Sequence, residues 1–424
     1  MAFASGLSQR AAAAVEPPIS GLMQMALAQP DLISLAAGFV DQASLPVPET
    51  QAAIADLLAE LPAAHAALQY GSSAGSPRLR RQLLDRFVAE NADATAKTPP
   101  SLDQVLITTG SNELLYLLCE TLLDPGDIVL CASPTYFVFL GTVAYFQGRS
   151  IGIDADREGM LPAALDGRLT QLQRTGELER VKAVYLVSDF ENPTGATLPA
   201  DRRAAIVEIA RRWSHGRPPI YVIEDAAYRE LRYEGTDLSS LRAYDDEGET
   251  VVVAKTFSKS FSPGLRVGYG LLPPALVAPL LKLKGNLDFG SPNFAQHVLS
   301  RAIERGLLDS HLVPLRQAYG EKRQAMLEAA EEHFAPIEGV EWNEPDGGLY
   351  VWMRLPPEID AGPNGSLLGR ALDEGVLYVP GEFSYPREGP VAARHTMRLS
   401  FGVQPAARIR QGMAALARAV RSLC

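Results

Sequence analysis

The sequence predicts an α/β chain: a doubly wound, mostly parallel sheet in a large domain, completed by a smaller α+β domain. Three observations carry this expectation. Short β-branched apolar runs recur at 105–108, 128–132, 181–187, 219–225 and 251–253, with helical spacing between them. Polar residues suited to chemistry (Asn192, Asp225 and Lys259) stand at or just beyond the C-terminal ends of such runs, where ligands bind in parallel sheets. From about residue 290 the composition turns helical, and 313–332 spaces its apolar residues by three and four, as a long helix leading into a second domain would. The expected division is 1–45 as an N-terminal arm and part of the small domain, 46–295 as the large domain, and 296–424 as the small one.

Composition narrows the function classes. At 424 residues, 47% hydrophobic and 21% charged, the chain has the balance of an ordinary globular enzyme. A net charge of −11 at pH 7 argues against a nucleic-acid partner, because phosphate binding needs a basic surface. No apolar run approaches the ~18 residues of a membrane span. The first ten residues carry their charge after the apolar ones, unlike a secretory signal. Cys119, Cys131 and Cys424 are odd in number and lack metal-ligand spacing, and the six histidines are scattered. A cytoplasmic enzyme without a metal centre is therefore expected.

Taken in order, residues 11–15 are alanine-rich, Pro17-Pro18 interrupt them, and 19–27 read as a helix. Residues 32–38 read as a short extended piece ending on Gly38, and Tyr70 opens a glycine-rich turn ahead of 77–81. At 105–118 a strand pattern gives way to a helix pattern across Gly110-Ser-Asn112. The unpaired amides and positive end of that helix make Ser111 and Asn112 candidates for an anion cradle. The strand at 128–136 runs into Pro-Thr-Tyr136. The strand at 181–187 runs into Ser188-Asp-Phe-Glu-Asn192-Pro-Thr-Gly195, and 219–225 ends in Glu224-Asp225, followed by Tyr228. Alternation sends Glu224 and Asp225 to opposite faces, and Asp225 is preferred. The run 251–253 empties into a small-residue turn carrying Lys259, with hydroxyls at Thr256 and Ser258 and a planar fork at Arg266 that suits phosphate. A lysine placed where water is scarce loses its proton near neutral pH, as a Schiff-base lysine must. Helical spacing continues at 302–308 and 313–332.

These motifs together resemble the class I/II aminotransferases of fold type I, which use pyridoxal 5′-phosphate (PLP). The resemblance runs from about Leu32 to Phe401 in the family's order, through Asn192-Pro-Thr-Gly195, Thr256-Phe-Ser-Lys259, Pro263-Gly-Leu-Arg266, Gly347-Gly-Leu-Tyr-Val-Trp352 and Arg398-Leu-Ser-Phe401. It implies that Lys259 carries the cofactor and then acts as general base and acid, while Asp225 partners the pyridine nitrogen. Asn192 and Tyr228 bond the phenolic oxygen, and Tyr136 stacks on the ring. Ser111, Asn112, Thr256, Ser258 and Arg266 surround the phosphate, which Tyr70 reaches across a homodimer interface. Arg398, rather than Arg394, binds the substrate carboxylate against the Gly38 backbone. The subgroup it resembles acts on 2-aminoadipate, kynurenine and aromatic or branched amino acids. Members favouring acidic side chains can carry an arginine in the N-terminal helix, and 18–24 holds none. With Glu191 before Asn192, an L-amino acid with a neutral, aromatic or basic side chain is expected to donate to a 2-oxo acid. Glu191 has a second reading, in which it simply faces solvent. The same scaffold also serves PLP-dependent oxidases, decarboxylases and lyases, of which Arg398 disfavours the decarboxylases.

Overall fold

The computed structural model describes residues 6–14, 16, 18–29, 31–92 and 97–424. Its strands in chain order are β1 (Ile33–Ser34), β2 (Val105–Thr108), β3 (Ile128–Ser133), β4 (Arg149–Asp156), β5 (Gly159–Met160), β6 (Val181–Val187) and β7 (Tyr221–Asp225). There follow β8 (Val251–Thr256), β9 (Gly268–Leu271), β10 (Glu341–Trp342), β11 (Tyr350–Arg354), β12 (Val376–Leu377), β13 (Val379–Pro380) and β14 (Thr396–Ser400). Eight form the large sheet in the order β2-β9-β8-β7-β6-β3-β4-β5. The pairings β8-β7-β6-β3-β4 are parallel, whereas β9 and β5 run against their neighbours. Both faces of this sheet are covered. Tyr185, Ile223, Val252 and Ala254 point into one hydrophobic layer, and Val184, Val222, Val251 and Val253 point into the other. That is why its strands read as continuous apolar runs rather than alternating ones.

A second, antiparallel sheet has the order β10-β11-β14-β13, and a parallel pair joins β1 to β12. The β1–β12 pair ties the N-terminal segment to the C-terminal third of the chain.

Several expectations need adjustment. Residues 302–308 are not one helix. Gly306 takes a left-handed φ of +68° and separates Asn293–Glu304 from the 28-residue helix Leu307–Phe334, which contains 313–332. The alanine-rich start forms Gln9–Ala13, and the next helix is Pro18–Ala28; Val15 and Pro17 lie outside the described residues. Of the extended piece at 32–38, only Ile33 and Ser34 are in a strand. Strand β9, Gly268-Tyr-Gly-Leu271, was not among the expected strands. It sits inside the sheet, where a Cβ on Gly268 would come within 2.8 Å of three backbone atoms, those of Gly110, Lys255 and Ser111.

Candidate active site

The parallel strands deliver their C-terminal ends to one place. At the end of β7, alternation separates the two carboxylates. Glu224 accepts from the Ser240 hydroxyl and the Leu241 amide on one face, and Asp225 accepts from the Tyr185 hydroxyl at 3.0 Å on the other. Among the described residues the second Asp225 oxygen, Oδ1, is buried without a hydrogen-bond partner. Burial raises the Asp225 carboxyl to about 6.

Beyond β8 the chain turns so that Lys259 Nζ donates to the Gly38 carbonyl at 2.6 Å. Burial holds this amine below the usual lysine range; Tyr350 opposes the shift, and the Arg398 and Arg266 cations add to it. The glycine at 268 lets the first turn of helix Ser111–Leu122 rest directly on β9, with Gly110 at φ +74° as its cap. Arg266, itself left-handed, lays its guanidinium beside that turn, donating at 3.4 Å to both the Thr109 carbonyl and the Ser258 hydroxyl. The Ser258 amide in turn donates to the Thr256 hydroxyl at 3.2 Å. Amides at a helix start, three hydroxyls (Ser111, Thr256, Ser258) and a guanidinium make this end of the site suited to an anion.

On the far side, Arg398 of β14 is buried and donates to Asn192 Oδ1 at 2.8 Å and to the Ala36 carbonyl at 2.7 Å. Arg394 is exposed and pairs with Asp360 and Glu382. Asn192 is held by its own loop, whose Asp189 forms a fully buried ion pair with Arg203 at 2.8 Å. Arg203 also bonds the Leu198, Ser239 and Ser188 carbonyls, so the charge is fully engaged. Tyr136 caps helix Phe137–Tyr145, and its hydroxyl is hydrogen-bonded by the Asn112 side chain.

A cavity of about 140 Å³ is lined by ten of the expected residues: Ser111, Asn112, Tyr136, Asn192, Asp225, Tyr228, Thr256, Ser258, Lys259 and Arg266. Gly38 and Arg398 join it through their bonds to Lys259 and Asn192. Tyr70 stands apart, 82% exposed, its ring edge-on to Phe289.

The family model for aminotransferases of class I and II matches residues 30–415. The chain belongs to this family. The aromatic-amino-acid aminotransferase 1 of Thermococcus litoralis is 35% identical over 92% of this chain and 88% of its own length. The 2-aminoadipate transaminase of Thermus thermophilus is 32% identical over 93% and 91%. The crystal structure of Pyrococcus horikoshii kynurenine aminotransferase superposes with a TM-score of 0.88 at 33% identity, covering 98% of this chain and 97% of that one. This aminotransferase is therefore a PLP-dependent enzyme of fold type I, and amino-group transfer, not oxidation, decarboxylation or lysis, is its chemistry.

The site of this aminotransferase fits PLP on its own terms. Asp225 Oδ1, buried without a hydrogen-bond partner, would suit a cationic donor such as a protonated ring nitrogen, and the end of the site suited to an anion lies within the same cavity. Two findings were not anticipated. The first is Tyr350, whose hydroxyl lies 3.2 Å from that of Tyr228 and whose ring faces Arg398. Its signal was the tyrosine in Gly347-Gly-Leu-Tyr-Val-Trp352, read only as part of a strand. The second corrects Glu191. It does not face solvent: it is 2% exposed, accepts from the Thr194 hydroxyl at 2.7 Å, and is raised by burial to about 8, which favours its neutral form.

Glu191 has a measurable signature. The native carboxyl keeps its proton up to about 8, whereas the unfolded chain releases it near 4.5. The native state thus binds the extra proton in that window, and stability falls as pH rises through it. Glu191→Gln abolishes this titration. Urea unfolding of both proteins from acidic to mildly alkaline pH is expected to show wild type losing several kcal/mol relative to the variant. The loss is about 1.4 kcal/mol for each pH unit over which the native carboxyl alone keeps its proton. Parallel curves would mean that Glu191 ionises freely.

Proposed function

We propose that this aminotransferase takes the amino group from an L-amino acid with a neutral or aromatic side chain and passes it to a 2-oxo acid in a ping-pong cycle. The observation that carries this reading is the convergence of Lys259, Asp225 and the Arg398–Asn192 pair on one cavity. Bound PLP supplies an electron-withdrawing ring that makes the amino acid's Cα proton removable. Asp225 is the anion for the ring nitrogen. Asn192 and Tyr228 serve the phenolic oxygen, and Tyr136 covers the ring. Ser111, Asn112, Thr256, Ser258 and Arg266 hold the phosphate. Arg398 orients the substrate carboxylate with its planar fork, helped by the Gly38 backbone. Lys259 Nζ, whose neutral form burial favours, takes the Cα proton.

The substrate preference is supported by a second cavity, about 180 Å³, next to the Ala36 segment that Arg398 bonds. Ile19, Leu22, Ala26, Ala37 and Phe39 are among its lining residues. The helix Pro18–Ala28 beside it contains no charged residue. The named activities of the aromatic and kynurenine relatives point the same way. A preference for basic side chains rested on Glu191, and its carboxyl, whose neutral form burial favours, gives that no support.

A homodimer is supported by exposed Leu68, Tyr70, Leu287 and Phe289, which would present Tyr70 to a partner's phosphate site. We place the domains as 1–45, 46–295 and 296–424; helix Asn293–Glu304 straddles the second boundary and packs on the large-domain helices Val47–Ala59 and Pro77–Glu90. Among the described residues no helix is long and apolar enough to cross a membrane, and we propose a cytoplasmic location.

The test is an anaerobic single turnover of the PLP-loaded protein with pooled amino acids, followed by mass spectrometry. Aromatic and neutral donors are expected to yield their 2-oxo acids together with aminated cofactor. Depletion of glutamate or lysine ahead of these would overturn the preference.

A further inference from the structure

Tyr350 belongs to none of the roles above, yet three parts of the site meet on it. Register pairs Tyr350 with Ser400 and Trp352 with Arg398, so β11 and β14 deliver Tyr350 and Arg398 side by side. The Arg398 Cζ lies 4.3 Å from the centre of the Tyr350 ring, within cation–π range. The Tyr350 hydroxyl is 3.2 Å from the Tyr228 hydroxyl, with the rings edge to face at 5.7 Å and 78°. The same hydroxyl fills the space beside Gly38: a Cβ there would come within 2.8 Å of it, while the Gly38 carbonyl receives Lys259.

A phenol has one proton to give and two lone pairs to receive with. In a pair of buried phenols, one must donate to the other. Tyr228 lines the cavity, where the phenolic oxygen of bound PLP would be the acceptor for its proton, whereas Tyr350 is buried and is not among the lining residues. The pair is most completely satisfied when Tyr350 donates to Tyr228 and Tyr228 donates into the cavity. We propose that Tyr350 is a positioning residue of the transamination site, its hydroxyl orienting the Tyr228 proton toward the phenolic oxygen of PLP while its ring steadies the carboxylate-binding Arg398. This rests on the reading of Tyr228 given above.

A hydrogen bond to the phenolic oxygen favours its anionic form and so lowers the pH at which the bound cofactor titrates. The groups facing Tyr228 are Tyr350 from β11, Tyr136 from the start of its helix and Arg398 from β14. Tyr350→Phe changes only the first, and phenylalanine fills the same volume.

The experiment is a pH titration of the cofactor's visible absorbance in four PLP-loaded proteins: wild type, Tyr350→Phe, Tyr228→Phe and the double variant. Tyr228→Phe is expected to raise the midpoint. Tyr350→Phe is expected to raise it by roughly half a unit to one unit, the size of one neutral hydrogen bond. In the double variant Tyr350→Phe adds nothing further. A Tyr350→Phe midpoint equal to wild type, beside a shifted Tyr228→Phe, overturns the proposal and leaves Tyr228 in place. An additive double variant also overturns it, because Tyr350 would then act without Tyr228. If Tyr228→Phe itself shifts nothing, the reading of Tyr228 fails and the proposal falls with it.

Discussion

Lys259→Ala is expected to slow transamination by about 10⁴-fold or more, because on the proposed reading one substitution removes both the covalent attachment point and the base. The surroundings make this loss specific. Nζ is held at the Gly38 carbonyl, and burial with the neighbouring Arg398 and Arg266 cations favours its neutral form. Thr256 and Ser258 bond each other, so the phosphate end does not depend on the lysine. The variant should still bind PLP while failing in single turnover, as equilibrium dialysis and stopped-flow absorbance can show together. A small primary amine in the buffer should restore part of the rate. A Lys259→Ala protein turning over like wild type would remove the lysine from the mechanism.

Asp225→Asn is expected to cost about 10²–10³-fold, the scale of losing one preorganised electrostatic partner in a water-excluded site. Its pH behaviour identifies the cause. Before cofactor binds, burial holds the carboxyl at about 6, so below that pH it is neutral and offers no anion. A cationic partner favours the ionised form, so PLP binding should pull this value down. The affinity of wild type for PLP should therefore weaken relative to Asp225→Asn as pH falls below about 6. Fluorescence titration of both proteins across that range measures the difference, which cancels the ionisation of the phosphate itself. Curves that stay parallel would separate Asp225 from the cofactor.

Much of this site was legible because parallel sheets gather their chemistry at strand ends. Asn192, Asp225 and Lys259 each follow a buried apolar run, and the glycine-to-helix switch at Gly110 marks the anion end. The alternation that favoured Asp225 over Glu224 is local geometry, and the separate partners of the two carboxylates follow it. What escaped depends on distant parts of the chain meeting. Nothing near Tyr350 in sequence announces Tyr228, and nothing near Glu191 shows that its carboxyl will be buried and bonded only within its own loop. Strand β9 escaped because its glycines are demanded by the helix lying on it, a contact that no local pattern records.

The β1–β12 pair has a consequence for synthesis. Ile33 and Ser34 align with Val376 and Leu377, and the Leu35 carbonyl receives the Ser400 amide. At the ~5–20 residues per second of translation, the N-terminal segment emerges on the order of tens of seconds before its partners exist. During that interval Leu32, Ile33 and Leu35, all buried in the finished fold, lack the β12 and Gly412 partners found there. The strands of the large sheet run consecutively in the chain from β2 to β9, whereas Ala36 and Gly38 cannot meet Arg398, on the proposed carboxylate side of the site, until residue 398 has been made. A ribosome-tethered nascent chain stopped before Val376 should therefore hold residues 31–40 in a protease-sensitive state that a chaperone can engage.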